Sequence, residues 1–263
     1  MEHITSLQNP RVKQIVQLSK ARERKEQGLV VVEGAREIGL ELEAGYELQV
    51  VYVCPEIYAK SDYPNLLNQI DPSLKIAISQ TVFEKVAYRE GSDGLLALIK
   101  PKNHSLEQLK MSVKPFIIVL ESVEKPGNLG AVLRTADAAS VDAVVICDPT
   151  TDLYNPNAIR SSVGCLFTVQ VAVCSSKECL DWMKTHKIQS FAAELQASEW
   201  YHECDFNGPS AVIMGTEADG LTPFWLQHAD KRIKIPMRGV IDSLNVSVST
   251  AVLTFEAMRQ RGF

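Results

Sequence analysis

The sequence predicts an α/β protein of two domains, the second built on a parallel sheet. Short β-branched runs alternate with runs of helical period along the whole chain. The run "FIIVL" at 116–120 is apolar throughout, which is typical of a strand buried on both faces of a parallel sheet. A polar stretch with prolines separates two apolar strand signals. We therefore predict a domain at 1–99, a linker at 100–112 and a domain at 113–263.

Composition limits the possible classes of protein. The chain has 263 residues, of which 46% are hydrophobic, so it can bury a substantial core, and its formal net charge is −5. Basic surface for a nucleic acid must therefore be local. No apolar run is long enough to span a bilayer, the N-terminus lacks an apolar secretory segment, and the six cysteines form no CxxC pair. We expect a cytoplasmic protein with free thiols, rather than a disulfide framework, and without membrane contact.

The first domain alternates helices and strands. A helical pattern ends at Gly28, a β-branched strand follows, and a second helix closes at Gly45. The run "LQVVYV" predicts another strand, Ser79 caps a further helix, and "GLLALIK" forms the last strand. This order indicates a small layered α/β domain.

The second domain shows the same alternation on a larger scale. After the first strand, the turn Pro126-Gly127-Asn128 leads into a helix that starts near Leu129. Another helix carries an Asn155 cap and Pro156 at its first position. Further strands are predicted for "AVVIC", "LFTVQVAV", "IQSFAAEL", "SAVIM" and "KRIKIPM", and helices for "SKECLDWMKTH" and "STAVLTFEAMRQR".

Three groups of polar residues follow predicted strands. Asn128 and Arg134 come after the first one, and ligands of parallel sheets bind beyond the carboxyl ends of the strands. A helix cap with a surface arginine would look the same. The loop of Gly215, Glu217 and Gly220 follows "SAVIM"; its carboxylate would repel a phosphate, so it suits a neutral or cationic cofactor better. A glycine turn with a solvated acid is the alternative.

The third group lies before the terminal helix. Ser243, Asn245, Ser247 and Ser249 offer more polar groups than one helix cap requires, although capping alone is an alternative. Asn245 also starts an N-glycosylation pattern, but that modification needs secretion.

Together the three groups resemble the three motifs of the SpoU family of RNA ribose 2'-O-methyltransferases, in the SPOUT superfamily. The resemblance covers Phe116 to the C-terminus. The matching residues are Asn128, Gly130, Arg134, Thr135 and Ala136 in the first motif; Gly215, Glu217, Gly220 and Leu221 in the second; and Ile235, Pro236, Met237, Ser243, Leu244, Asn245, Val246 and Ser247 in the third. The first domain more loosely resembles the family's L30e-like substrate-binding extension.

The resemblance implies a deep trefoil knot and S-adenosylmethionine as methyl donor. It also implies transfer to a ribose 2'-hydroxyl of RNA, with ribosomal RNA favoured over tRNA and guanosine as a candidate base. The implied cofactor-binding residues are Gly215, Ile235 and Leu244, with Met214, Met237 and Ser243 as neighbours. The implied catalytic residues are Arg134, Asn128, Glu217 and Asn245. The family works as a homodimer through the terminal helix, whose apolar residues here are Val252, Leu253, Phe255 and Met258. That helix could instead cover only its own sheet.

RNA contact in an acidic chain needs a local basic surface, and Arg22, Arg24 and Lys25 are grouped on the first helix. Such a run is also typical of a solvated helix face. His202 and Cys204 lie close together, but no second pair has zinc spacing, so we expect no metal. Alternative functions are a tRNA methyltransferase, a non-enzymatic RNA-binding protein with a degenerate knot, and a nucleotide-dependent enzyme of another type.

Overall fold

The computed structural model describes residues 2–88, 91–197 and 199–263, and the chain divides into two compact units. The first unit contains Met1–Asn103 with Leu153–Thr168, and the second contains His104–Asp152 with Val169–Phe263. By its contacts, the segment Leu153–Thr168 belongs to the first unit, although it lies between strands of the second in sequence. The domain limits and the linker taken from the sequence stay a prediction.

The first unit has a mixed five-stranded sheet. Strands and helices are numbered in chain order through both units. Its strands are β1 (Glu2–Ile4), β2 (Val30–Glu33), β3 (Glu47–Val53), β4 (Lys75–Ile78) and β5 (Leu95–Lys100). Its helices are α1 (Pro10–Gln17), α2 (Ala21–Gln27), α3 (Ala35–Glu43), α4 (Pro55–Tyr58), α5 (Gln80–Val86), α7 (Pro156–Ser162) and α8 (Cys165–Thr168). The strand order is β1-β4-β3-β5-β2, and β5 runs antiparallel to both of its neighbours.

The single N-terminal helix of the prediction is two helices in the structure. Leu18 is fully buried and ends α1, where the Ser19 hydroxyl donates to the Val16 carbonyl at 2.7 Å. Lys20 is extended, with φ −92° and ψ 133°, and starts α2. A serine hydroxyl that bonds a preceding carbonyl competes with helix continuation, which accounts for the break. Gly28 ends α2 with φ 61°, as predicted.

The second unit has a seven-stranded sheet. Its strands are β6 (Phe116–Glu121), β7 (Ala143–Cys147), β8 (Val171–Cys174), β9 (Gln189–Ala193), β10 (Glu199–Trp200), β11 (Ser210–Met214) and β12 (Lys231–Lys234). Its helices are α6 (Pro126–Ala138), α9 (Ser176–Thr185), α10 (Pro223–His228) and α11 (Val246–Arg261). The strand order is β10-β12-β9-β11-β6-β7-β8, and every pairing is parallel. The predicted parallel α/β domain with a smaller N-terminal α/β domain is confirmed, while the knot stays a prediction.

Central strands β6, β7 and β11 are buried along their whole length, as their apolar sequences require. Strands β6, β9, β11 and β12 run parallel, so their carboxyl ends share one edge of the sheet. The segments that follow β6, β9, β11 and β12 converge there. This edge positions the candidate site.

Two details of the predicted second domain are wrong. The Pro126-Gly127-Asn128 segment is the first turn of α6 rather than a turn before it, because proline at a helix start needs no hydrogen-bonded N–H and already has a helical φ. The predicted strand "LFTVQVAV" begins only at Val171, since Cys165–Thr168 is helical. The short elements β1, β10 and α10 were not predicted.

Candidate active site

The loop after β11 is a tight glycine turn. The N–H of Thr216 donates to the Gly220 carbonyl at 3.0 Å, and the Gly220 N–H donates back at 3.2 Å. Gly220 has φ 70°, in the left-handed region that favours glycine. A Cβ on Gly215 would lie 2.1 Å from the Gly220 carbonyl carbon. The backbone of this turn therefore requires both glycines of the second motif.

A buried carboxylate holds the base of the glycine turn. Glu121, at the end of β6, accepts hydrogen bonds from the Thr222 N–H at 2.8 Å and from the Thr222 hydroxyl at 2.6 Å. Only 3% of Glu121 is exposed. No role was predicted for Glu121 from the sequence; the available signal was an acid directly after the apolar run at 116–120.

Four side chains from three segments meet beside the turn, and we refer to Lys125, Asn128, Glu217 and Asn245 as the polar cluster. The Asn245 amide donates to the Asn128 side-chain oxygen at 3.2 Å and to the Glu217 carboxylate. Lys125 forms an ion pair with the other Glu217 oxygen. The structure thus brings together three of the four predicted catalytic residues. It adds Lys125, which sequence reasoning missed.

Glu217 is ionised in this setting. The hydrogen bond from Lys125 is the largest cause that lowers the pKa of Glu217, and the Asn128 side chain and the Val246 backbone also lower it. The Glu217 side chain is 23% exposed, so burial opposes these effects only in part. An ionised Glu217 orients the Asn245 amide and holds a negative charge beside the glycine turn.

Asn245 is also the N-cap of α11. Its side-chain oxygen accepts from the Ser247 N–H at 2.9 Å and from the Ser247 hydroxyl at 2.6 Å. The helix starts at Val246, so Ser247 and Ser249 lie in its first turn. Capping and site formation, which the sequence analysis treated as alternatives, are two functions of one side chain.

A cleft of about 420 Å³ lies at the carboxyl ends of β9, β11 and β12. All six predicted cofactor-binding residues line it: Met214, Gly215, Ile235, Met237, Ser243 and Leu244. Leu221, Leu226 and Leu253 add apolar wall. Among the described lining residues, four are acidic (Glu194, Glu217, Asp219 and Asp242) and one is a lysine, Lys234. An apolar cleft with an acidic rim suits a cationic ligand of moderate size.

The Arg134 side chain makes no hydrogen bond to the polar cluster. Arg134 is exposed on α6, six residues after Asn128, and its guanidinium has no hydrogen-bond or ion-pair partner among the described residues. The structure therefore leaves its guanidinium available to a ligand of the opposite charge.

The three basic residues predicted to bind RNA lie in different environments. Arg24 is 5% exposed and donates to the carbonyls of Leu18 and Ser19 at 2.7 and 2.8 Å. It therefore joins α1 to α2 rather than facing solvent. Arg22 is exposed and forms an ion pair with Glu26, one turn along the helix, at 2.7 Å. Lys25 is also exposed.

The terminal helix α11 divides the four predicted interface residues between two faces. Leu253 and Met258 are buried within the second unit, where α11 packs on α6, β6 and β11. Phe255 is 41% exposed and Val252 is half-buried. Val248 shares their side of the helix and is 47% exposed.

Comparison with known proteins gives two family matches. The model of the SpoU rRNA methylase family matches residues 115–255, more than half of the chain, and the model of the MRM3-like substrate-binding domain matches residues 9–97.

The part of the chain that the structure describes contains no helix both long and apolar enough to cross a membrane.

Relatives and solved structures agree with these matches. The Bacillus subtilis 23S rRNA (guanosine(2553)-2'-O)-methyltransferase is 28% identical, over 97% of this chain and 98% of its own. A crystal structure of an RNA 2'-O ribose methyltransferase is 38% identical, with a TM-score of 0.86 over 99% of this chain and all of that one. The AdoMet-bound rRNA methyltransferase of Sinorhizobium meliloti is 25% identical, with a TM-score of 0.88 over 98% and 97% of the two chains. The chain belongs to the SpoU rRNA methylase family, and it is an RNA ribose methyltransferase that uses S-adenosylmethionine.

Proposed function

We propose that this enzyme methylates a ribose 2'-hydroxyl of 23S ribosomal RNA, with guanosine as the favoured nucleotide. The specificity of the Bacillus subtilis 23S rRNA (guanosine(2553)-2'-O)-methyltransferase, which aligns over nearly the full length of both chains, supports this choice of RNA and base. One structural observation carries the assignment of the site. All six candidate cofactor-binding residues line a single cleft, and Glu217 of the polar cluster lines the same cleft.

The cleft fits S-adenosylmethionine in size, polarity and charge. Its volume of about 420 Å³ lies within the usual range for small-molecule sites, roughly 300–1,000 Å³. Leu244, Ile235 and Met214 would form apolar walls, and the backbone of the glycine turn supplies polar groups. The four acids of the rim favour the positively charged ligand. When bound, S-adenosylmethionine supplies a methyl group on a sulfonium centre.

The polar cluster and Arg134 would have different roles in the reaction on the RNA. We assign Asn128, Glu217 and Asn245 to positioning, because their mutual hydrogen bonds fix the geometry beside the cleft. Such positioning contributes up to about 7–11 kcal/mol in ideal cases. Arg134 cannot act as a base, since a guanidinium stays protonated. We assign it a fixed positive charge that grips an RNA phosphate and stabilises the developing alkoxide.

Replacement of Arg134 tests this assignment. We expect Arg134→Ala to lower the turnover number by about 10²–10³-fold, as removal of one electrostatic donor does, while the dissociation constant of S-adenosylmethionine stays unchanged by calorimetry. Arg134→Lys, which keeps the charge but loses the planar fork, should recover part of the activity. Unchanged turnover in Arg134→Ala would remove this residue from the reaction.

The RNA target is tested by mapping 2'-O-methyl sites in a strain that lacks the gene. We expect one 23S rRNA guanosine to lose its methyl group and to regain it when the wild-type gene is restored. Loss of a tRNA methyl group would instead support the tRNA methyltransferase. Unchanged methylation of every RNA, together with no binding of S-adenosylmethionine, would support the non-enzymatic RNA-binding protein.

We further propose that RNA contacts Arg22 and Lys25 on α2. Arg24 is buried and is not part of this RNA-binding surface. The enzyme is proposed to work in the cytoplasm, where the free thiols of its six cysteines are ordinary. A homodimer through the exposed side of α11 completes the proposal.

A further inference from the structure

Three thiols meet at a place remote in sequence from every motif of the family. Cys147 ends β7 and Cys174 ends β8, and the two are register partners in the parallel sheet. Cys179 lies in α9, four residues after the Ser175 cap. The three sulfur atoms all lie within 4.8 Å of one another. Because the sheet and the helix fix the backbone at each position, the thiols are held together by the fold.

The three cysteines of this thiol cluster differ in how far they are buried. Cys147 and Cys179 are fully buried and belong to the apolar core with Ile117, Ala172 and Met183. Cys174 is only half-buried. The cluster therefore lies at the edge of the apolar core, with Cys174 as its most exposed member.

Cys174 is the most acidic of the three thiols. Hydrogen bonds from the S–H groups of Cys147 and Cys179 lower the pKa of the Cys174 thiol, which favours its thiolate form. The hydrogen bonds of Cys147 with Cys174 and Cys179, followed by burial, raise the pKa of Cys147. A thiolate is the form of cysteine that binds metal ions.

We propose that Cys147, Cys174 and Cys179 bind one thiophilic d10 metal ion, Cu(I) or Zn(II), through three metal–sulfur bonds. Each bond forms to a thiolate, the remaining S–H protons leave to solvent, and no electron is transferred. Soft sulfur ligands select these two ions among the common biological metals. With Zn–S bonds of about 2.3 Å, the sulfurs of a tetrahedral site lie about 3.8 Å apart. Because the three sulfurs already lie within 4.8 Å of one another, each pair needs to approach by no more than about 1 Å to reach that spacing.

The number of ligands separates the two ions. Among the described residues, the metal-ligating groups that come together this closely are these three thiols alone. Three sulfurs complete a trigonal Cu(I) site, whereas Zn(II) would take its fourth ligand from water. We therefore expect Cu(I) to bind more tightly than Zn(II).

The test is a competition titration of the purified, reduced, metal-free full chain. Zn²⁺ and Cu⁺ are added in separate series against a coloured chelator of known affinity for each ion. We expect one equivalent of ion per chain. Loss of a sulfur ligand in Cys174→Ser should weaken binding by more than the 10–100-fold typical of outer-shell changes. Cys165→Ser removes a partly buried thiol outside the cluster and should bind as the wild type does.

Folding of each variant is verified by circular dichroism and by its affinity for S-adenosylmethionine without metal. A second variant, Cys179→Ser, should lose binding in the same way as Cys174→Ser. The proposal is overturned if the wild type binds neither ion stoichiometrically, or if folded Cys174→Ser binds as tightly as the wild type. Binding of Zn²⁺ but not Cu⁺ would support the metal site and contradict the expected tighter binding of Cu(I).

Discussion

At the scale of single residues, Asn245 links the site to the start of a helix. Its oxygen caps α11 through Ser247, while its amide nitrogen donates to Asn128 and Glu217. Because the oxygen caps the helix and the amide nitrogen serves the site, a substitution that keeps only the oxygen separates the two roles.

We expect Asn245→Ser to keep the stability of the protein, since serine caps helices about as well as asparagine. The variant loses the amide donor, so methyl transfer should fall, by roughly 10-fold or more, as positions in the site shift. Asn245→Ala should lose activity and also about 1 kcal/mol of unfolding free energy, because no cap remains. Urea denaturation and methyl-transfer assays measure the two effects. Equal stability of the two variants would contradict the capping role.

Glu41, in the first unit, is fully buried, and both of its carboxylate oxygens lack a hydrogen-bond partner in the structure. Burial raises the pKa of Glu41 from 4.5 to about 8, and the smaller opposing effect is the positive charge of Lys102. The folded state therefore holds a proton that the unfolded state releases near pH 4.5. The contribution to stability is complete below pH 4.5, declines as the pH rises, and levels off above about pH 8.

We expect Glu41→Gln to remove this pH dependence, because the amide does not ionise. Compared with the variant, the wild type should lose unfolding free energy on the order of 4 kcal/mol between pH 4.5 and 8. Urea denaturation at several pH values gives the difference directly. Parallel pH curves for the two proteins would show that Glu41 does not titrate in this range.

At the scale of elements, Arg24 stabilises the break between α1 and α2 at which the Ser19 hydroxyl bonds the Val16 carbonyl. The guanidinium satisfies carbonyl groups at the end of α1 from a position on α2. A run of basic residues in a sequence does not indicate that one of their side chains is buried. The sequence therefore predicted one helix with three cationic side chains on its surface. The burial of Arg24 corrects that interpretation.

Removal of Arg24 should therefore destabilise the protein. We expect Arg24→Ala to lower the unfolding free energy by roughly 2–4 kcal/mol, because buried carbonyls lose charge-assisted hydrogen bonds. Arg22→Ala serves as the control: its side chain is 83% exposed, so stability should not change, whereas RNA affinity should fall. Denaturation curves and RNA filter binding distinguish the two roles. A stable Arg24→Ala variant would return this residue to the RNA surface.

Apolar runs and caps predicted most elements of the domain that the sequence analysis placed at 113–263. The apolar strands β6, β7 and β11 and the Asn155 cap of α7 follow from local sequence alone. The start of α6 did not, because Pro126 and Gly127 are equally typical of turns, and tertiary packing decides between the two. The two-residue strand β10 is too short to show any periodicity.

At the scale of the whole molecule, the site depends on contacts between residues far apart in sequence. Asn245 and Asn128 are separated by 117 positions, and Thr222 and Glu121 by 101. Periodicity within one sequence carries no information about such pairs. The resemblance to a family placed the motif residues in one site, but it left out Glu121 and Lys125, which lie outside the matched positions.

Association is the second property at this scale. Val248, Val252 and Phe255 form an apolar stripe on the outer side of α11, which a second copy of the chain would cover. We expect Phe255→Asp to convert the proposed dimer to monomers in sedimentation velocity. Val113→Asp places the same charge at a position 95% exposed outside α11 and should leave association unchanged. A wild-type protein that sediments as a monomer at micromolar concentration would contradict the interface.

The end of α11 has a consequence for how this protein is made. The guanidinium of Arg261 donates to the carbonyls of Phe206 and Gly208, and also to those of Lys114 and Pro115, which lie immediately before β6. During synthesis, the two carbonyls just before the first strand of this sheet therefore wait for a donor that is added 147 and 146 residues later. The first unit is complete once Thr168 has been added, but the second unit reaches its final form only after Arg261 has emerged.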